Sequence, residues 1–102
     1  MLRYSLFGEL QYSYSHDTSK TVDIEESFDA KNLKIAVVVA RAMVQSHKIQ
    51  NEKGSNYTEK LSAVLKNDIE QIVWRTNLVS ERVQYRTQII TPEHFEEEVI
   101  PY

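Results

Sequence analysis

The sequence predicts an α+β domain: an N-terminal antiparallel β-hairpin packed on two long antiparallel α-helices, closed by a short C-terminal helical turn. Three patterns predict it. The opening MLRYSLFGELQYSYSH alternates apolar and polar residues, the segment 29–53 is apolar around a narrow polar stripe, and aliphatic residues recur at near-heptad spacing through 56–90. At 102 residues the chain has the size of one domain. It divides into a hairpin (1–28), a central helix (29–53), an amphipathic helix (56–90) and an acidic tail (91–102).

The first strand rests on the two-residue period of a β-strand. Leu2, Tyr4, Leu6, Leu10, Tyr12 and Tyr14 share one face, and Arg3, Ser5, Glu9, Gln11 and Ser13 share the other. One face buried and one wet is the pattern of an antiparallel sheet. Gly8 interrupts the apolar row, which signals a bulge, a bend or the close approach of another element. Ser15 to Lys20 is turn-rich, and a second alternation follows with Val22, Ile24 and Phe28 on one side. The tyrosines suit a sheet laid over helices with its edges wet, since each has an apolar body and a hydroxyl that needs water or a partner.

In 29–53, the residues Lys34, Arg41, Gln45, Lys48 and Glu52 fall within about 40° of one line at about 100° per residue. Everything else on that helix is largely apolar, which implies cover on most sides. Asp29 is the expected N-cap and Gly54 the expected stop. In 56–90, Asn56 and Glu59 suggest a capping box, and Leu61, Leu65, Ile69, Ile72, Thr76, Val79, Val83 and Ile90 form one helical stripe. Unbroken, that helix would run about 51 Å at 1.5 Å per residue, too long for a compact domain. It therefore breaks, at Asn67-Asp68 or Asn77, or a second copy covers the overhang. Thr91-Pro92 opens the final helical turn.

Function is less legible. No apolar run approaches the roughly 18 residues of a membrane span, the opening lacks a basic-then-apolar leader pattern, and cysteine is absent. These features point to a soluble, cytoplasmic protein without a disulfide framework. Two glycines 46 residues apart make no phosphate-binding loop, and His16, His47 and His94 lie far apart, with only the His94/Glu98 spacing suited to one helix face. No catalytic, metal or cofactor set emerges. Trp74, Leu78 and Tyr85 instead form a second apolar stripe on the last helix, opposite its core face. They are the expected interface of a protein-protein interaction module, acting on itself as a homodimer or on another protein, with an open strand edge as a further docking element.

Charge gives the alternative reading. Residues 1–29 carry two basic and six acidic side chains, 30–90 carry ten and five, and the tail carries four glutamates alone. The simplest arrangement sets the acidic ends against the basic middle within one molecule. Otherwise Lys34, Arg41, Lys48, Lys60, Arg75, Arg82 and Arg86 could meet nucleic-acid phosphates, in an accessory role.

Overall fold

The computed structural model describes residues 1–14, 19–48, 56–85, 88–90 and 93–100, with the side chains of 83–90 outside that set. In chain order the elements are β1 (Leu2–Tyr14), β2 (Lys20–Ala30), α1 (Leu33–His47), β3 (Tyr57–Lys66), β4 (Ile72–Tyr85), β5 (Gln88–Ile90) and β6 (Glu93–Val99). The sheet is antiparallel and runs β2-β1-β3-β4, with β5 and β6 both on the far side of β4. Val83 pairs with Ile90 and Ser80 with Glu93, the same offset, so β5 and β6 follow one line along β4. The one described helix, α1, covers one face of this sheet. No helix among the described residues is long and apolar enough to cross a membrane.

The β1–β2 pairing follows the alternation: Tyr4, Leu6, Leu10, Ile24 and Ala30 are buried on the helix side. Gly8 marks close approach. An added Cβ there would lie 2.4 Å from the Ser62 carbonyl oxygen and 2.8 Å from Ala63 Cβ, because β3 pairs directly beside it. The helix begins three residues later than expected from Asp29. Asn32 is the cap, its Oδ1 accepting from the Ile35 N–H at 3.0 Å, whereas Asp29 stays in β2 and pairs with Arg3. Gly54 lies outside the described residues.

The expected helix 56–90 is a correction. Residues 57–85 form the β3–β4 hairpin, so two long helices packed on a hairpin become one helix on a sheet. Asn67 does break the segment, but as a turn. Its Oδ1 accepts from the N–H groups of Ile69 and Gln71 at 3.1 and 2.9 Å, and Glu70 holds a positive φ of 62°. The buried positions alternate: Glu59, Leu61, Ala63 and Leu65 on β3, and Trp74, Thr76, Leu78 and Ser80 on β4. Polar residues on the inner face (Glu59, Thr76, Ser80) and aliphatic ones on the outer face (Val64, Ile72, Val79) disguise that period of two. The expected helical turn after Thr91-Pro92 is likewise strand, β6. The molecule's 51 Å long axis therefore comes from strands of 13 and 14 residues, not from a helical rod.

Candidate functional site

The inner face of the sheet and α1 share one core, in which Trp74, Leu6, Leu61, Leu65 and Leu78 are fully sealed against Ala36, Ala40 and Val44 of the helix. Trp74 and Leu78 are thus interior, and the stripe expected to bind a partner is the core side of β4. Ile72 and Val79, assigned to a core face by helical spacing, are exposed at 38% and 44%. In a strand, residues four apart such as Trp74 and Leu78 share a face as they do in a helix, but residues three apart such as Thr76 and Val79 do not, and the register shift at Val73 turns Ile72 outward. The homodimer expectation loses its surface with this correction. Tyr85 belongs to β4 by its backbone, and its side chain lies outside the described set.

Polar groups inside this core are satisfied locally. Ser80 Oγ donates to the buried Glu59 carboxylate at 2.5 Å, and Thr76 Oγ1 donates to the Glu96 carbonyl at 2.7 Å. Trp74 Nε1 is buried without a hydrogen bond of normal geometry, although the indole helps favour the charged form of Glu97.

The expected nucleic-acid cations do not form one surface. Lys34, Arg41 and Lys48 line one flank of α1, and two of them meet the acidic edge strand β6. Arg41 donates through Nε and Nη2 to both carboxylate oxygens of Glu97, and Lys48 Nζ lies 2.5 Å from Glu93. The bidentate hydrogen bond from Arg41 is the main reason the Glu97 carboxyl sits below the usual carboxylate range; partial burial opposes it and the nearby positive charge assists. Arg75 is on the opposite face of the sheet, 3.4 Å from Glu98. Arg82 points with the inner positions of β4 and is half-buried, Lys60 is on the outer face, and Arg86 lies outside the described residues. The acidic C-terminal segment thus pairs with the basic middle inside one chain, whereas of the N-terminal acids Asp29 pairs within its own segment and Glu26 meets His47.

The tyrosines of β1 are also engaged within the inner face, Tyr4 stacked on Phe28 at 6.0 Å and Tyr14 edge-on to Tyr57 at 6.4 Å. His47 approaches Glu26 at 3.1 Å, His94 approaches Glu96 rather than Glu98, and His16 lies outside the described residues. Among the described residues no three His, Asp or Glu side chains gather as a metal site would require.

What remains is a surface the sequence reading did not single out. Going round α1 at about 100° per residue, the flank of Arg41 faces β6, and the flank of His47 faces β2 through Glu26. Beyond His47, turning away from the sheet, come Met43 and Val39, half-buried, then Ser46, Ile35 and Ala42, exposed, with exposed Val38 past the crest on the Arg41 side. Ile35 and Val38 leave 43% and 56% of their surface in water, in the interior of a helix. The sheet covers one side of α1, so the apolar row that rises from β2 through Met43 and Val39 to Ile35 and Ala42 has nothing over its outer part among the described residues. The signal was present in the narrowness of the polar stripe, which promised more cover than one sheet provides.

The opposite face of the sheet differs. Its polar side chains answer one another across strands: Ser5 with Ser27 at 3.1 Å, Ser13 with Thr58 at 3.0 Å, Arg3 with Asp29 at 3.4 Å, and Lys66 over the Phe7 ring at 5.3 Å. That face is self-satisfied and wet. No family model, curated protein or solved structure matches this chain.

Proposed function

We propose that this chain is a protein-binding module, acting by docking a partner protein rather than by catalysis, and that the docking surface is the uncovered apolar flank of α1. The observation that carries this reading is the exposure of Ile35 and Val38, with Ala42 beside them, on a helix whose Arg41, and Lys48 at its C-cap, are spent on β6. Single exposed aliphatics are ordinary, but a contiguous apolar stripe over about two helical turns marks an interaction surface. The reading sits with a cytoplasmic setting, where a chain without cysteine is at home.

The test is a selection. A random peptide library is panned on the intact chain, with an Ile35→Asp, Val38→Asp double variant as the subtraction. Both positions are exposed, so the variant keeps its circular dichroism spectrum. Selected peptides are expected to bind the parent and to lose about tenfold or more on the variant, the equivalent of about 1.4 kcal/mol. A selection in which every recovered peptide binds both proteins equally overturns the reading.

A further inference from the structure

The flank of α1 ends at the edge of a sheet, and that edge is open. β2 pairs with β1 on one side and with no described strand on the other. An edge strand presents unpaired N–H and C=O groups at alternate residues. The two edges of this sheet are finished differently. On β6 every residue is exposed and glutamates occupy both faces: Glu93 and Glu97 toward the helix, Glu96 and Glu98 away from it. Charge on both faces blunts an edge against any incoming strand. On β2 the outer face carries Asp23, Glu25 and Asp29, all exposed, and the inner face carries Val22, Ile24, Phe28 and Ala30, with Glu26 held by His47.

We infer that β2 takes a strand from a partner protein, one that alternates apolar residues on its inner face with lysine or arginine on its outer face. This deepens the docking reading and rests on it. A strand added beside β2 lies about 4.8 Å farther out. Its inward side chains then continue the row of Ile24 and Phe28 under Met43 and Val39, the flank of α1 that the present sheet is one strand too narrow to cover. Its outward side chains stand opposite Asp23 and Glu25, Asp29 being held by Arg3, and opposite charges across a strand pair favour pairing while like charges oppose it. A second copy of this chain is a poor occupant, because pairing β2 with β2 sets these acids against one another whichever way the strands run.

The experiment uses the full chain and fluorescein-labelled peptides about nine residues long, one strand's worth. One alternates lysine with valine, one alternates glutamate with valine, and one has the lysine-valine composition with the alternation scrambled. Binding is read by anisotropy and the site by amide hydrogen exchange. The lysine-valine peptide is expected to bind saturably and to slow exchange at alternate amides of β2. Asp23→Lys with Glu25→Lys should weaken it about tenfold and transfer preference to the glutamate-valine peptide, since two favourable pairs become two repulsive ones.

Three results overturn the strand inference: no saturable binding to the parent protein, equal binding of the scrambled peptide, or unaltered binding after charge reversal. The two readings fail separately. Protection confined to α1, with β2 amides exchanging freely and Ile35→Asp still abolishing binding, sinks the strand and leaves the helix flank. Protection of β2 that survives Ile35→Asp and Val38→Asp sinks the helix flank.

Discussion

Replacing Gly8 by alanine should destabilise the protein, and the sign of that effect reports directly on the sheet. Within a strand, alanine is ordinarily favoured over glycine by about 0.5–1 kcal/mol, because glycine gives up more freedom on folding. Here the new methyl carbon would meet Ser62 O at 2.4 Å and Ala63 Cβ at 2.8 Å. The second contact is about 1 Å inside the carbon–carbon optimum. Neither neighbour can rotate away, one being backbone and the other a Cβ. Relief requires β1 and β3 to separate at the centre of their pairing, where Gly8 stands opposite Ala63. Overpacking of this kind costs about 1–3 kcal/mol, so the net loss after the propensity gain is about 1–2 kcal/mol. In urea the midpoint should fall by about 0.5–1 M at an unchanged slope, and the melting temperature by several degrees. Adding Ala63→Gly removes the 2.8 Å contact and keeps the 2.4 Å one, so the double variant should recover part of the loss. Gly8→Ala at or above parental stability would mean that β3 does not lie beside β1 in this register.

Trp74 is the only tryptophan in the chain and is fully buried, so intrinsic fluorescence should be blue-shifted and resistant to acrylamide until unfolding, and Trp74→Ala should cost about 3–5 kcal/mol. Ready quenching in the folded state would place the indole outside the core. For the Arg41–Glu97 pair, the Glu97 carboxyl is depressed on folding, so its contribution is present above the unfolded carboxylate value of about 4.3 and is lost as pH falls through the lower folded value. Urea titrations of the parent and Glu97→Gln should differ by up to about 1 kcal/mol at neutral pH, a bound set by the half-exposed Arg41. The difference should shrink as pH falls below about 4.3; one that widens on acidification contradicts the pairing.

The sequence is most readable where one face of a strand is consistently wet. In β1, polar residues at Arg3, Ser5, Glu9, Gln11 and Ser13 leave only the even positions for the core, and the hairpin with β2 follows. In β3 and β4 both faces are mixed. Buried Glu59, Thr76 and Ser80 are tolerated because each finds a hydrogen bond inside the fold, a compensation made by residues distant in sequence. Exposed Ile72 and Val79 then complete a spurious helical row. Local content pointed the other way: Ile72, Val73, Trp74, Thr76 and Val79 are β-branched or aromatic, which suits a pleated surface better than a helix.

The central helix was legible for a reason that also exposes the candidate site. Its polar residues Lys34, Arg41, Gln45 and Lys48 occupy a narrow arc, and a helix so largely apolar needs neighbours round most of its circumference. Had residues 56–90 been helical, they could have supplied that cover. As a hairpin they instead widen the sheet on the side of α1 that carries Arg41 and Lys48, where β6 answers those cations with Glu97 and Glu93. Every strand added after α1 therefore joins the charged flank, and the apolar flank faces β2, to which the chain adds no described partner. The helix is written for an enclosure that the described chain builds on one side. The residues that complete the core at Ala36, Ala40 and Val44 continue, one step round the helix, into Met43 and Val39, so a strand arriving at β2 would extend a core already formed rather than create a new interface.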